Sequence, residues 1–329
     1  MWPLIKIIPS QTHFHFVRLA RVFGVLSVLA VIASLFFTIY PATPPCGGLN
    51  CGIDFKGGTV LEFATRPKPV GLGATRQAVA RLARGDVQLQ AFATADDPNS
   101  QYHAMTRFQT PTGANPAVLV QQVKAAIVGI HGPQTAFSRS DVVGPKVSGE
   151  LFRNGLMALG LAIGLMLIYI WFRFELQFGL GAVAALFHDV ILTFGLIAVT
   201  RMEFSLTTIA AILTIIGYSM NDTVVVFDRL RENLRKYKKM PLREVIDLSI
   251  NETLSRTIIT GLTAILALAG LALFGGEALY QFSLIMMFGI ALGTYSSIYV
   301  AAPIILLWGV KRGEEEAKPI KPMGATTAR

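Results

Sequence analysis

Six stretches of the chain are almost continuously apolar, without the alternation of apolar and polar positions that marks a half-buried surface. They cover residues 17–40, 155–172, 179–200, 205–227, 257–275 and 279–309. A helix that crosses a hydrocarbon core about 30 Å thick needs roughly 20 such residues. The pattern therefore predicts a polytopic α-helical membrane protein with six transmembrane helices. We expect the last and longest segment to contain a bend or interfacial ends.

One long polar interruption, residues 41–152, separates the first two apolar segments. Residues 60–65 alternate as a strand does, and Asn115 followed by Pro116 is typical of a helix start. Further strand-like and helix-like patterns give the order β-α-β-β-α-β, which predicts a ferredoxin-like α+β domain between helices 1 and 2.

The distribution of basic residues predicts the orientation of the chain. The connection 228–256 holds eight Lys and Arg residues and the tail after Val310 holds five, whereas the two short loops on the other side share only Arg201. Because basic residues favour the cytoplasmic side, we expect both termini and the connection in the cytoplasm. The first segment is longer than the core of a signal peptide and lacks a cleavage pattern, so we expect an uncleaved anchor.

These expectations divide the chain into four parts. The predicted parts are a cytoplasmic N-terminus with the first transmembrane helix (1–40), the outside α+β domain (41–152), helices 2–6 with the cytoplasmic connection 228–256 (153–310), and a cytoplasmic tail (311–329). Within the connection, residues 241–256 place Leu242, Val245, Ile246, Ser249 and Ile250 on one helical face. We expect this stretch not to be a span but to lie on the cytoplasmic interface and lead into the fifth span; anchoring is the favoured role, and a site for a soluble partner is the alternative.

Composition agrees with a membrane protein and argues against a nucleic-acid partner. The 329 residues are 53% hydrophobic and only 15% charged, whereas a soluble chain averages about 25% charged. The net charge of +9 follows from the basic cytoplasmic segments, so it indicates topology rather than nucleic-acid binding.

No motif for nucleotide hydrolysis, nucleophilic catalysis or metal binding stands in the sequence. In "GIDFKGGT" Lys56 precedes Gly57 and Gly58, whereas a P-loop has its lysine after the last glycine. The two glycines are better explained by a tight bend at the start of a strand. We therefore expect no enzyme activity, no cofactor and no metal.

Polar residues within the apolar segments are the candidates for function. Asp222 lies in the fourth segment, about 9 Å from its Asp228 end at roughly 1.5 Å per residue. His188 and Asp189 lie near the middle of the third segment, and Arg256 begins the fifth. Such residues are costly in a bilayer and mark ion or proton paths, or else lock helix packing. For Asp222 we favour a proton path over packing; for His188 and Asp189 both interpretations stay open.

Arg256 is the expected charge partner of Asp222. Burial disfavours an ionised carboxylate and a nearby cation favours it, so a movement of the fifth span relative to the fourth could make Asp222 bind and release a proton. Asn221 and Ser219 are expected to hydrogen-bond the carboxyl group or an ordered water, and Tyr218 to line the same path.

Cys46 and Cys51, in "CGGLNC", are the two cysteines of the chain. They lie in the segment predicted outside the membrane, where oxidation is permitted. Gly47 and Gly48 let the short loop close, so we favour a disulfide over two free thiols. A zinc site would need further ligands at suitable spacing.

Several stretches resemble the SecF members of the SecD–SecF protein-export family. They are "GLNCGIDFKGGTVLEF", "VGPKVSGEL", "HDVILTFGL", "IGYSMNDTVVVFDRLREN", "LSRTIIT" and "GTYSSIYVAA", in the family's order between residues 48 and 302. The cysteines and Lys56 depart from the family's pattern, which affects only the local loop chemistry.

The resemblance implies an accessory subunit of the bacterial Sec translocase, in the inner membrane, with the outside domain in the periplasm. With SecD, such a subunit uses the proton gradient to promote preprotein transport through SecYEG, and protons are the coupling ion. Asp222 and Arg256 match the family's proton-pathway positions, and His188 and Asp189 match a motif without a firm role. Two alternatives remain: a self-sufficient, homodimeric, proton-driven exporter of small molecules of the resistance-nodulation-division type, and a structural scaffold subunit.

Overall fold

The computed structural model describes residues 12–42, 45–92, 101–111 and 114–309. The elements in chain order are α1 (Phe16–Ile39), β1 (Asn50–Cys51), α2 (Ile53–Lys56), β2 (Gly58–Ala64), α3 (Leu72–Leu82), β3 (Arg84–Ala91), β4 (His103–Gln109), α4 (Pro116–His131), β5 (Ala136–Val143), α5 (Pro145–Arg173), α6 (Leu176–Thr200), β6 (Glu203–Phe204), α7 (Leu206–Lys236), α8 (Leu242–Phe274), α9 (Gly276–Ser296), a π-helical turn (Ser297–Ala301) and α10 (Ala302–Trp308). The predicted cytoplasmic tail, 311–329, lies outside the described residues.

Six helical segments are long and apolar enough to cross a membrane, as the sequence predicts: α1, α5, α6, α7, α8 and the combined segment Leu279–Trp308. The helices α6, α7 and α9 form the centre of the bundle, because about half of their most apolar stretch is buried within the chain. In contrast, α1, α5 and α8 bury little of theirs. The π-helical turn and α10 follow α9 directly, in the segment for which a bend was expected.

The stretch 241–256 does lead into the fifth span, but it is not an element of its own. Residues 242–274 form one continuous helix, α8, and α7 likewise continues nine residues past Phe227. Only residues 237–241 separate the two helices, and Pro241 stands just before α8, where its missing N–H costs nothing. At about 1.5 Å per residue, helices of 31 and 33 residues are roughly 47–50 Å long, so both extend beyond a 30 Å hydrocarbon core.

The amphipathic face predicted within 241–256 exists nonetheless. Val245, Ile246, Ser249 and Ile250 are buried, and they pack inside the bundle rather than along a membrane surface. The second membrane helix differs too: α5 begins at Pro145, so the boundary expected at residue 153 falls within a helix.

A four-stranded antiparallel sheet forms outside the bundle, in the order β3-β4-β2-β5. With α3 and α4 between the strands, the chain order is β-α-β-β-α-β, as expected. The core of this unit includes Leu61 and Phe63 of β2 and Val123 and Ile127 of α4. Asn115 caps α4, because its side chain accepts a hydrogen bond from Ala117 N–H at 2.9 Å.

A short parallel strand pair joins the sheet-bearing unit to the loop between α6 and α7. Asn50 and Cys51 of β1 pair with Glu203 and Phe204 of β6.

A bend separates α2 from β2. Gly57, after α2, and Gly58, the first residue of β2, have φ values of 72° and 129°, a region that favours glycine. These glycines therefore make the bend that the sequence indicates, and no nucleotide site is needed to explain them.

Two side-chain contacts strengthen the same junction. The Asp54 carboxylate accepts a hydrogen bond from Leu206 N–H at 3.0 Å, which satisfies a donor in the first turn of α7. Arg107 of β4 forms an ion pair with Glu203. A disulfide joins Cys51 of β1, within the junction, to Cys46 of the preceding loop. The outside unit is therefore bound to the start of α7.

Candidate functional site

Asp222 lies where three membrane helices meet. The residue is on α7 and is 6% exposed. Its Oδ1 accepts a hydrogen bond from the Thr257 hydroxyl of α8 at 3.1 Å, and its Oδ2 accepts one from the Thr294 hydroxyl of α9 at 3.2 Å. Each oxygen of this carboxyl group is therefore held by a different helix.

Two glycines of α9 bring α9 close to α7. A Cβ atom on Gly293 would stand 3.0 Å from Ser219 Cα, and one on Gly289 would overlap the Ile215 side chain. A Cβ on Gly293 would be tighter than most real Cβ contacts, and one on Gly289 would force the Ile215 side chain to move, so glycine at both positions favours this close packing. This close approach places Thr294, the residue after Gly293, within hydrogen-bonding distance of Asp222.

Arg256 lies beside the Asp222 site but does not form an ion pair with it. The arginine precedes Thr257 on α8 and is exposed, whereas Thr257 is buried. It is close enough to interact electrostatically with the Asp222 carboxyl group. The direct partners are thus two threonines that the sequence analysis did not identify.

The neighbours expected around Asp222 are only partly present. Asn221 is exposed on α7, and Tyr218 is half-buried near the carboxyl group. Ser219, which was expected to hydrogen-bond the Asp222 carboxyl group or an ordered water, instead donates its hydroxyl hydrogen to Asp189 Oδ2 at 2.5 Å. Ser219 and Asp222 are one turn apart on neighbouring positions of α7, and the shorter, earlier side chain of Ser219 meets Asp189 of α6 while Asp222 meets α8 and α9.

His188 and Asp189 form a second buried polar site on α6. Asp189 is 1% exposed and His188 is 5% exposed. His188 Nδ1 lies 2.9 Å from Asp189 Oδ1, and Asp189 Oδ2 also accepts a hydrogen bond from the Ser296 hydroxyl of α9 at 2.7 Å. Asp189 therefore links α6 to both α7 and α9.

The two sites share the same pair of helices. On α7, Ser219 contacts Asp189, and Asp222 follows one turn later. On α9, Thr294 contacts Asp222 and Ser296 contacts Asp189. The sites differ in their third helix, which is α8 for Asp222 and α6 for Asp189. A displacement of α8 would thus change the contacts of Asp222 alone.

Polar contacts hold the C-terminal part of α7 against the N-terminal half of α8 and against the end of α5. Arg229 Nε donates to Glu252 Oε2 at 2.7 Å, and Asn233 Nδ2 donates to the same oxygen at 2.6 Å. Arg173 at the end of α5 donates to both oxygens of Asp228. These contacts fix the helix ends next to the site, about one to three turns beyond Asp222.

Comparison with known proteins identifies the family. Residues 122–311 match the family described as "Protein export membrane protein SecD/SecF, C-terminal". The chain is 44% identical over 323 residues to "Protein translocase subunit SecF" of Rhodobacter capsulatus, covering 96% of this chain and 95% of that protein. The chain belongs to the SecD/SecF family. The resemblance found in the sequence is thus confirmed.

Other SecD/SecF family members agree with this assignment. The protein of the same name from Cereibacter sphaeroides is 44% identical, covering 94% of each chain, and that from Rickettsia bellii is 41% identical, covering 96% of this chain and 99% of the relative. With six apolar helices, membership of this family makes the chain a multipass membrane protein.

Two solved SecD/SecF family structures share the fold. The crystal structure of SecDF from Thermus thermophilus, described as a translocon-associated membrane protein, superposes with a TM-score of 0.78 at 31% identity over 92% of this chain. SecDF in a super-membrane-facing form superposes with a TM-score of 0.63 at 33% identity over 90% of this chain. The chain spans 39% of each SecDF chain.

Proposed function

We propose that this chain is an accessory subunit of the Sec translocase which, together with SecD, uses the proton gradient to promote preprotein transport through SecYEG. The names of its relatives support the translocase role. The SecDF chains supply a reason to expect SecD as partner, since this chain corresponds to only 39% of their length.

The observation that carries the proton-coupled part is the position of Asp222. A carboxylate near the centre of a membrane helix costs from about 2.5 kcal/mol upward, so its presence calls for a reason. Here two neutral hydroxyls, those of Thr257 and Thr294, contact it directly. Such a shell accommodates a protonated carboxyl group readily and stabilises an ionised one less than a cation would.

In the second state of the proposed cycle, Asp222 is ionised and Arg256 stabilises its charge. Successive residues of a helix are about 100° apart, so Arg256 and Thr257 point to different sides of α8. A modest rotation or shift of α8 against α7 and α9 brings the guanidinium toward Asp222 and withdraws Thr257. The ionised carboxylate is then stabilised, and the proton leaves; the reverse movement favours proton uptake.

Asp189 has a different proposed role, which is to hold the helices that do not move. His188, Ser219 and Ser296 already bond its two oxygens. With this many partners from three helices, we assign the His188–Asp189 pair to helix packing rather than to the proton path. Asn221, exposed next to Asp222, lies at the mouth of the proposed path.

In this proposal, proton binding and release at Asp222 move the outside unit. Asp54 binds the first turn of α7 at Leu206, and Asp222 lies 16 residues further along the same helix, about 24 Å away. A helix is stiff over this distance, so a change of packing around Asp222 tilts the junction that carries the sheet. Protons act as the coupling ion, and no nucleotide hydrolysis or other enzyme activity is involved.

The proposal includes an orientation of the chain in the membrane. The ferredoxin-like unit lies in the periplasm, both termini lie in the cytoplasm, and the bundle crosses the bacterial inner membrane. The eight basic residues of 228–256 support this orientation through the positive-inside rule.

Export into inverted inner-membrane vesicles tests the proposal. Vesicles with and without this chain receive ATP and a preprotein, and a protonophore then dissipates the gradient. We expect the chain to stimulate export only while the gradient persists, and to co-purify with SecD in mild detergent. Stimulation that survives the protonophore contradicts proton coupling, and recovery of homo-oligomers alone favours the exporter alternative.

A further inference from the structure

A large apolar groove runs along α1. Its volume is about 1300 Å³, above the roughly 300–1,000 Å³ typical of small-molecule sites. Apolar side chains of α1, α6 and α10 form most of its wall, including Val28 and Ile32 of α1, Phe187 of α6 and Ile304 of α10.

Three arginines line the groove at one end. Arg18 and Arg21 are in the first two turns of α1, and Arg243 is in the first turn of α8. The two helix starts lie together because Val17 N–H donates to Asp247 Oδ1 at 2.9 Å. That contact places all three arginines on the same side of the bundle.

The arginines carry unbalanced positive charge. All three are exposed, and within the described ranges none takes part in an ion pair. The described residues that line the groove include no carboxylate. Asp247, the acid at the junction, accepts a hydrogen bond from Val17 N–H and lies 3.9 Å from His15 Nδ1, and it forms no ion pair with these arginines. An apolar groove with a cationic end is complementary to an anionic amphiphile.

The dimensions suit a lipid of one leaflet. From Arg18 to Ile32 the groove follows α1 for about 21 Å at roughly 1.5 Å per residue. One leaflet contributes about 15 Å to a hydrocarbon core of about 30 Å. An acyl chain laid along α1 thus stays within the groove when its phosphate is at the arginines.

We propose that this groove is a binding site for an anionic phospholipid. The phosphate and headgroup bind Arg18, Arg21 and Arg243, since guanidinium groups pair with phosphate oxygens in a bidentate manner. An acyl chain fills the apolar length beside Val28 and Ile32. The site is separate from Asp222 and does not depend on the proton-coupled role.

Native mass spectrometry of the purified full chain tests the site. Phosphatidylglycerol and phosphatidylcholine with identical acyl chains are titrated into detergent-solubilised protein. We expect phosphatidylglycerol to bind more tightly. Each of Arg18→Gln, Arg21→Gln and Arg243→Gln should weaken it about fivefold, the equivalent of about 1 kcal/mol per basic residue near an anionic lipid. Phosphatidylcholine binding should change little.

Matched variants separate the groove from general surface charge. Arg235→Gln and Lys239→Gln remove exposed positive charge elsewhere on the bundle and should leave the preference intact. Gly24 lines the groove, whereas Gly160 on α5 does not. Both glycines have free space at the Cβ position. Gly24→Trp should therefore weaken binding of both lipids, and Gly160→Trp should not.

Two results would overturn the proposal. One is equal binding of the two lipids, or an effect of Arg235→Gln as large as that of Arg243→Gln. The other comes from a photo-crosslinking amino acid placed at Val28 in the native membrane. Crosslinks to phospholipid support the lipid site, whereas crosslinks to a polypeptide show that a protein covers the groove.

Discussion

The ion pair between Arg107 and Glu203 connects the outside sheet to the α6–α7 loop, and its removal should loosen the junction in a pH-dependent way. The two side chains are 21% and 15% exposed. Burial outweighs the attraction of Arg107, so the pKa of Glu203 lies above its ordinary value of 4.5. In Arg107→Ala the carboxylate loses its cation and the pKa rises further.

The size of the effect follows from this partial burial. Breaking a fully buried pair by removing one partner costs about 3–5 kcal/mol, and an exposed pair contributes about 0–1 kcal/mol. For this mostly buried pair we expect about 2 kcal/mol near pH 8, the alkaline condition, which favours the ionised form of Glu203 most. Since a raised pKa means that stability is lost as pH rises through it, the penalty should be smaller at pH 5 than at pH 8, because falling pH favours the protonated carboxyl group, which needs no cation.

Amide hydrogen exchange measures this opening directly. Gly52 N–H donates to Phe204 O at 2.9 Å across the junction, so its exchange reports on separation of β1 from β6. A loss of about 2 kcal/mol corresponds to roughly thirtyfold faster exchange. After correction for intrinsic rates, Arg107→Ala should show this near pH 8 and a smaller change near pH 5.

The control is Arg139→Ala. Arg139 pairs directly with Glu62 and Asp141 within the sheet and acts on Glu203 only weakly, without an ion pair, so its loss should affect the protection of Gly52 far less than the loss of Arg107 does. Equal acceleration by Arg107→Ala at both pH values would refute the assignment of the effect to Glu203 ionisation. Unchanged protection would show that the ion pair does not hold the junction.

Two further predictions concern packing and the disulfide. Gly293→Val should force α9 away from Ser219 and cost about 1–3 kcal/mol, which lowers Tm by roughly 2–10 °C; Gly217→Val, at a position with open space, should not, and equal melting of the two variants would contradict the packing argument. Cys46 and Cys51 should resist a thiol reagent until the protein is reduced, and the bridge should contribute about 2 kcal/mol because its loop is short; ready labelling without reductant would refute it.

The membrane spans were predictable because a bilayer demands long apolar segments, whereas the ends of α7 and α8 were not. Residues 228–236 and 242–256 have the helical periodicity of either a separate surface helix or an extension of a span. What decides between them is burial of Val245 and Ile246 in the bundle and ion pairs such as Arg229–Glu252. Both are long-range contacts that no local pattern contains.

The sequence likewise predicts one part of the Asp222 site and not the other. Asp222 was predictable as a candidate because a carboxylate in an apolar segment is conspicuous. Its partners Thr257 and Thr294 were not, because threonine in membrane helices commonly bonds its own backbone, as Thr260 and Thr263 do here. The sequence instead predicted the charged neighbour Arg256 as the partner, although it makes no ion pair with Asp222.

Gradient-dependent export with Asp222 variants tests the central claim most directly. Inverted vesicles containing Asp222→Asn, Asp222→Glu or Asp189→Asn are compared with wild type at matched levels of the SecD complex, with ATP present and the gradient on or off. Asp222→Asn keeps size and hydrogen bonding but cannot titrate, so it should assemble with SecD yet lose the gradient-dependent stimulation. Asp222→Glu should retain part of it, and assembled Asp189→Asn should retain gradient dependence. Wild-type stimulation by Asp222→Asn under a gradient would contradict the account and make Asp222 a packing residue.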